Sequence, residues 1–299
     1  MDFKKLSQLI LIEQTAFALP FAYLGILFAG GGTLTTWIFA SLALVAARTA
    51  GMCFNRLIDA EIDAKNPRTK DRALPRGEVT KQEVLIVAVI SCVVFIFSSY
   101  MLNMLCFYLS FLAIVLLVSY SYFKRFSSAS HLYLGFVEAA APIGGYLAAT
   151  GEFTLIPFIL GFAIMMWIAG LDVVYALLDV DFDRQEGLYS IPARYGVKTA
   201  LVISLLLYLL SFSSLIIAGM LTNMKEAYWI SVLCVGIIFI YQQMLARRKD
   251  IEPAIKEFFK VNSFIAPVLF LGTFIDVYFK IGSDPLISFI SCTMQDVNC

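Results

Sequence analysis

The chain has little charge, a single histidine and no CxxC pair among its six cysteines. Each scarcity excludes a chemistry. Without a CxxC pair, zinc and dithiol redox sites are not expected. Cys53, Cys92, Cys106 and Cys234 fall within or at the ends of apolar runs, where cysteine acts as a small hydrophobe. Cys292 and Cys299 lie in the tail and would pair only if that tail faces an oxidising compartment. Charged residues make up 15% of the chain, whereas a soluble domain averages about 25%. Lys plus Arg (22) equal Asp plus Glu (22), so no basic excess points to nucleic acid. The first apolar run, from Ala16, carries no small-residue cleavage pattern, so no removable signal peptide is expected.

What is abundant is apolar sequence: 60% of residues, with a mean hydropathy of +0.84. About 20 apolar residues cross a bilayer as a helix. Nine runs meet or approach that length: 16–30, 35–55, 82–99, 103–123, 131–150, 153–178, 198–220, 227–246 and 262–279. The expected fold is therefore an all-α, multi-pass membrane protein with nine transmembrane helices, one domain spanning 1–299. Pro20, Pro142, Pro157 and Pro267 lie inside runs, which membrane helices tolerate. With the N-terminus inside, inward segments hold nineteen Lys or Arg and outward segments hold Lys225 and Lys280 alone. That asymmetry predicts a cytoplasmic N-terminus and an outward C-terminus.

Charge, where present, is concentrated. Seven Lys or Arg lie between Arg56 and Lys81, and with them Asp59, Glu61, Asp63 and Asp71. Topology bias accounts for cations but not for acids. Arg48, Asn55, Asp59 and Asp63 are spaced seven, four and four, which places them on one helical stripe at the end of the second run. Asp172, Tyr175, Asp179 and Asp183 repeat the pattern at the end of the sixth, with Asp181 on another face. Each acidic end is followed by a Pro- and Gly-bearing turn, "LPRG" and "IPARYG". The two stretches, 55–63 and 172–183, read as a weak duplication in which each half gives one acid-ended helix to a shared site. Hard oxygen ligands of this kind suit Mg²⁺, which takes one or two carboxylates and completes its shell with phosphate and water. Arg68, Arg72, Lys124 and Arg125 are near-by cations for phosphate oxygens. Arg48 and Asp172 each lie about two turns inside a span, where an ionisable residue is a functional candidate; the alternative is that they pair with each other as a structural ion pair.

At these residues the sequence resembles the UbiA superfamily of intramembrane prenyltransferases. The matching stretches are "NRLIDAEID", "NPRTKDRALPRG", "YSYFKR" at Tyr120–Arg125, and "DVVYALLDVDFD" with "GLYSIPARYG". The resemblance covers nearly the whole chain and agrees with nine helices. It implies Mg²⁺-dependent transfer of a polyprenyl group from polyprenyl diphosphate to a hydroxylated aromatic carboxylic acid, in ubiquinone or menaquinone biosynthesis at a bacterial inner membrane. It implies two Mg²⁺ ions bridged by the diphosphate, with Asn55, Asp59 and Asp63 serving one metal site and Asp179 and Asp183 the other. Arg68, Arg72, Tyr120, Lys124 and Tyr175 would contact substrate. Arg48 would meet the acceptor's carboxylate, and Asp172 would orient or deprotonate the acceptor. Two departures stand out. Arg56 occupies a place where many members have Asp, and "IEQTAFALPFAYLG" lacks the cations common at the start of the first span. These departures, with "NPRT" and "GLYSIPARYG", look like the menaquinone branch that acts through futalosine, whose acceptor is a dihydroxynaphthoate. A 4-hydroxybenzoate acceptor is equally compatible.

Other single residues have plainer readings. His131 fits a boundary histidine with a local hydrogen bond better than a pH sensor or ligand. Glu138 either touches the site or hydrogen-bonds a neighbouring helix in protonated form. The "APIGGY" segment around Pro142 fits a kink or close helix contact, and most of the 26 Phe and 14 Tyr fit packing or lipid contact rather than a tail channel. "ARRKD" at 246–250 is a topology signal first and an anionic-lipid contact second. The rival function from another class is a cation or substrate transporter, whose acids would cluster near the bilayer midplane. A purely structural membrane protein leaves both polar stripes unexplained, and the DGxxAR arrangement of a phosphoalcohol transferase is absent. Acceptor identity, prenyl chain length and oligomeric state are not set by these motifs.

Overall fold

The computed structural model describes residues 3–10 and 12–279. Among these residues are fourteen α-helices and no strand. They are α1 (Phe3–Ile10), α2 (Ile12–Phe28), α3 (Leu34–Ile58), α4 (Ala60–Lys65), α5 (Lys81–Leu102), α6 (Met104–Phe123) and α7 (Ser130–Thr150). Then follow α8 (Leu155–Tyr175), α9 (Val180–Gln185), α10 (Ile191–Tyr195), α11 (Val197–Leu221), α12 (Glu226–Leu245), α13 (Ile251–Asn262) and α14 (Ile265–Tyr278). Eight helical stretches are long and apolar enough to cross a membrane. Two of these join neighbours: Leu155–Gln185 runs from α8 through a 3-10 turn at Ala176–Asp179 into α9, and Ile251–Tyr278 joins α13 to α14. The ninth predicted run is α2, which has 17 residues. At 1.5 Å per residue it spans about 25 Å, a little less than the roughly 30 Å of bilayer hydrocarbon.

The bundle is apolar on the outside. Ile86, Val93, Phe97, Val115, Leu206 and Ile240 are exposed, whereas Ser98, Ser99, Ser110, Ser204 and Ser211 are buried between helices. Lipid tails are as apolar as leucine, so burying apolar surface adds little drive and close backbone packing takes its place. The contact between α2 and α7 shows this. A Cβ at Gly25 would stand 2.0 Å from the Pro142 carbonyl oxygen, and one at Gly145 would stand 1.9 Å from that of Ala22. The "APIGGY" stretch is thus a close helix contact. Gly135 serves α7 against α8 in the same way, 2.2 Å from the Met165 carbonyl oxygen. Around α8 the core is aromatic, with Trp167 edge-on to Phe21 and tilted against Phe239.

Local signals set the helix ends. Thr80 and Glu83 form a reciprocal capping box at the start of α5. Asn103 caps α6 by accepting from the Cys106 amide, and its own amide donates to the Leu147 carbonyl, tying α6 to α7. Gly151, left-handed at φ +70°, closes α7. Cys53, Cys92, Cys106 and Cys234 are free thiols. Lys280, Cys292 and Cys299 lie outside the described residues.

The start of α12 is capped from a distance. Asp276 on α14 is buried, and its carboxylate accepts the backbone N–H groups of Lys225 (2.7 Å), Ala227 (3.2 Å) and Tyr228 (3.1 Å). Removing it would strand several donors at the positive end of a helix. Asp276→Ala is expected to lower stability by about 3 kcal/mol, with Asp276→Asn losing about half as much. Denaturant unfolding in detergent micelles checks this.

Candidate active site

One cavity of about 780 Å³ opens where α3, α6, α8 and the segments after them converge with the start of α7 and the α13–α14 junction. Twelve of the residues singled out from the sequence line it: Arg48, Asn55, Asp59, Asp63, Arg68, Arg72, Tyr120, Lys124, Asp172, Tyr175, Asp179 and Asp183. Arg125, a predicted near-by cation, does not line it. Its guanidinium donates to the Ile58 carbonyl and lies over the Tyr122 ring. Asp181 is exposed, on another face.

The acidic stripes are not carried on unbroken helices. The chain leaves helical dihedrals at Asp59 (φ −92°, ψ 5°) and again at Asp179 (φ −112°, ψ 9°), and a six-residue helix follows each. The second acid of each pair, Asp63 and Asp183, sits in that short helix and is buried. The regular 3.6-residue stripe is therefore interrupted at both ends, yet every acid in it reaches the cavity.

Each carboxylate of the first pair has its own partners. Lys124 donates to Asp59 Oδ2 at 2.7 Å, as does the Asn55 amide at 2.8 Å, while Asn55 also reaches Ser121 Oγ at 3.2 Å. Asp59 Oδ1 is buried and accepts no hydrogen bond. Arg72 grips both oxygens of Asp63, at 2.9 and 2.7 Å, and the buried Arg56 stands 3.9 Å away. The second pair is reached from the first. Arg68 Nε donates to Asp179 Oδ1 at 3.0 Å and its Nη2 donates to Oδ2, while Asn66 Nδ2 donates to Oδ1 at 3.0 Å. The guanidinium lies 4.7 Å above the Tyr175 ring and also donates to its hydroxyl. Burial disfavours the Arg68 charge, but Asp179 and Tyr175 outweigh that and hold its pKa above the ordinary arginine value. One more contact joins the two segments, Lys65 to Glu186 at 2.7 Å, and the Tyr189 amide donates to the carbonyl of Lys124 at the end of α6, at 2.8 Å.

Deeper in the cavity the two intramembrane charges find separate partners rather than each other. Arg48 on α3 pairs with Glu138 on α7, so Glu138 touches the site. Asp172 pairs with His131, 2.7 Å from its Nδ1. Arg48 Nε is buried without a partner. Beyond these groups the lining turns apolar, with Ala18, Phe21, Trp167, Ile168, Leu171 and Ala266. Sequence reasoning gave no role to Asn66, although it belongs to the quoted "NPRT" stretch, nor to Ser121 or Lys260. Asn66 faces Asp179 across 113 positions, a pairing that no spacing rule reveals.

The chemistry of the lining can be counted. Six carboxylates (Asp59, Asp63, Glu138, Asp172, Asp179, Asp183) face six cations (Arg48, Arg56, Arg68, Arg72, Lys124, Lys260). No three His, Cys, Asp or Glu side chains among the described residues lie close enough to hold a metal by themselves.

Known proteins place this arrangement. The chain matches the UbiA prenyltransferase family over residues 18–264. It is 31% identical over 237 residues to 4-hydroxybenzoate octaprenyltransferase of Vibrio vulnificus (strain CMCP6), covering 78% of this chain and 82% of the relative. It is 28% identical over 272 residues to the protein of that name from Vibrio parahaemolyticus serotype O3:K6 (strain RIMD 2210633), covering 90% and 92%. Among solved structures, the apo form of a UbiA homolog from Aeropyrum pernix K1 is 32% identical with a TM-score of 0.83, over 89% of this chain and 98% of that one. A UbiA homolog from Archaeoglobus fulgidus bound to GPP and Mg²⁺ shares the fold at 14% identity, with a TM-score of 0.66 over 90% and 99%.

Breaking the deep pair isolates its cost. Arg48→Met leaves Glu138 without its cation in a half-buried position and is expected to cost about 1–3 kcal/mol. The double variant Arg48→Met/Glu138→Met should recover at least about half of that. Unfolding midpoints in detergent compare the single and double variants.

Proposed function

We propose, from the premise that this chain belongs to the UbiA prenyltransferase family, that it transfers a polyprenyl group from polyprenyl diphosphate to a hydroxylated aromatic carboxylic acid with Mg²⁺ as cofactor. The chain is an aromatic prenyltransferase and an integral membrane protein. The observation that carries the reading is Arg68. It follows the first acidic motif in sequence and binds Asp179 of the second, so both motifs face one cavity.

Charge balance supports the cofactor. The six cations of the lining are matched by its six carboxylates, so a diphosphate entering alone would bring uncompensated negative charge into a partly buried site. Divalent cations entering with it restore the balance. The donors suit such an ion, since Asn55, Asp59, Asp63, Asp179 and Asp183 offer hard oxygens, and Asp59 Oδ1 accepts no hydrogen bond, its ion-pair partner Arg125 standing 3.6 Å away. These residues would hold Mg²⁺, in this proposal two ions. When bound, Mg²⁺ supplies Lewis-acid neutralisation of the diphosphate.

The chain's own groups do the rest. Arg68, Arg72, Lys124 and the hydroxyls of Tyr120 and Tyr175 bind diphosphate oxygens. Arg48 offers its unpartnered Nε–H to the acceptor's carboxylate. The allylic C–O bond breaks toward the diphosphate, a ring carbon of the acceptor attacks the allylic carbon, and Asp172 accepts the ring proton. The loops after both motifs close over the charged end and keep water from the allylic cation. The apolar arm past Phe21 and Trp167 takes the isoprenoid tail. With nineteen cations on one side and two on the other, the charged end faces the cytoplasm. The two acid-ended helices derive from a weak duplication within one domain.

Both acceptors remain in the proposal. The relatives' names carry 4-hydroxybenzoate, whereas "NPRT" and "GLYSIPARYG" resemble the menaquinone branch with its dihydroxynaphthoate. Either presents a carboxylate to Arg48. A transporter reading is disfavoured because the acids gather at helix ends.

Purified protein with polyprenyl diphosphate, Mg²⁺ and each acid in turn should yield one prenylated product by mass spectrometry. Asp59→Ala and Asp183→Ala are each expected to lower turnover by more than about 100-fold while the protein still inserts. Arg48→Ala should raise the acceptor KM by about tenfold. Normal turnover in both aspartate variants would remove the metal assignment.

A further inference from the structure

His131 is the chain's only histidine and is 4% exposed. Both its ring nitrogens are engaged. Nδ1 lies 2.7 Å from Asp172 Oδ2, and Nε2 accepts the backbone N–H of Ile191 at 3.2 Å. The second contact decides the first. Ile191 opens α10, so its amide has no upstream helical carbonyl to bond. An imidazolium would set N–H against N–H there and leave a buried donor unpaired. His131 is therefore neutral, carries its proton on Nδ1 and donates it to Asp172. Asp172 lines the cavity with its side chain 26% exposed, and its Oδ1 accepts no hydrogen bond among the described residues. Arg48, the other deep charge, is held by Glu138.

We propose that His131 is a positioning residue that fixes Asp172 Oδ2 from behind, so that Oδ1 is presented to the acceptor's ring proton. The inference rests on the assignment of Asp172 as proton acceptor. In that step the prenyl C–O bond breaks with its electron pair leaving on the diphosphate, and the new C–C bond forms from the ring's π electrons. The ring proton moves to Asp172 Oδ1, and the C–H electron pair restores aromaticity. His131 keeps its proton throughout, and Asp172 passes its own to water before the next turnover. A neutral imidazole suits this task. It orients a carboxylate without adding a cation that would weaken it as a base.

The single histidine makes the test direct. Full-length protein carrying no histidine tag, labelled with ¹⁵N-histidine and held in detergent micelles, should give one Nδ1/Nε2 pair with the proton on Nδ1. A dominant Nε2–H form overturns the proposal. In kinetics, His131→Leu is expected to lower kcat by about 10–100-fold with the prenyl diphosphate KM unchanged within about twofold. His131→Asn, whose amide N–H overlies Nδ1–H, should restore at least half of that loss on a logarithmic scale. Equal loss in both variants, or a lower melting point with unchanged kcat, also overturns it. If the leucine variant does not fold, the wild-type tautomer and the asparagine variant decide. Asp172→Asn separates the two readings. Full turnover there removes Asp172 as the base, whereas an inactive Asp172→Asn beside a fully active His131→Leu removes only the role of His131.

Discussion

The cavity depends on one contact between distant segments, the grip of Arg68 on Asp179. Asp59, Asp63, Asp179 and Asp183 all line the same space, and like charges in a partly buried site repel. A carboxylate leaves water only if something compensates it. Here the compensation crosses from one motif to the other. Arg68 and Asn66 follow the first acidic helix and bind the acid of the second, and Lys65 does the same with Glu186. An exposed pair such as Lys65–Glu186 contributes little alone. Together with the bidentate Arg68 contact it sets the relative position of two loops more than a hundred residues apart in sequence, and the Tyr189–Lys124 backbone bond ties the second loop to the end of α6.

That concentration of charge coexists with an exterior that is apolar almost throughout. The exposed apolar residues of α5 and α6 need no partner, while serines turn inward, and some hydrogen-bond to carbonyls, as Ser204 does to Gly170 and Ser110 to Phe107. Glycines bring α2, α7 and α8 close, so the wall behind the deep pairs is rigid. A fixed wall matters because Arg48 and Asp172 sit on different helices, α3 and α8, and each is held by a residue of α7. Helix α7 thus sets the spacing between the acceptor's carboxylate contact and its proton acceptor in the proposed reaction.

Much of this was legible in the sequence. Hydropathy gave the spans to within a few residues, because lipid imposes both a length and a composition. The seven-, four- and three-residue spacings picked out the two stripes, from Arg48 to Asp63 and from Asp172 to Asp183, while Tyr120 was reached only through the family resemblance; all line one cavity. What escaped was pairing. Whether Arg48 meets Asp172 or Glu138 depends on how α3, α7 and α8 rotate against each other, and no spacing within one helix encodes that. The same holds for Asn66 with Asp179. The shortness of α2 was already visible in the fifteen-residue run 16–30. Its first turns carry Glu13 and Gln14, and only Ala18–Phe28 reads as apolar. The helix breaks were also invisible, since Asp59 and Asp179 are compatible with a continuing helix.

Those breaks explain why oxygen ligands collect where they do. Asp59 and Asp179 occupy nearly the same sparsely used dihedrals, each at the end of a spanning helix and each four residues before a second buried acid. Asp59 follows the last turn of α3 and Asp179 ends the 3-10 turn after α8, so both stand where a spanning helix gives way to a short one beside the cavity. Arg125 donates to the Ile58 carbonyl at the end of α3. Lys124 and Arg68 answer the first acids themselves. The six cations of the lining balance its six carboxylates, so a phosphate ester is held most readily in company with a further cation. The charge of this site belongs to the ends of α3 and α8 beside basic loops, and past it the cavity lining holds the two pairs that α7 closes, Arg48–Glu138 and His131–Asp172.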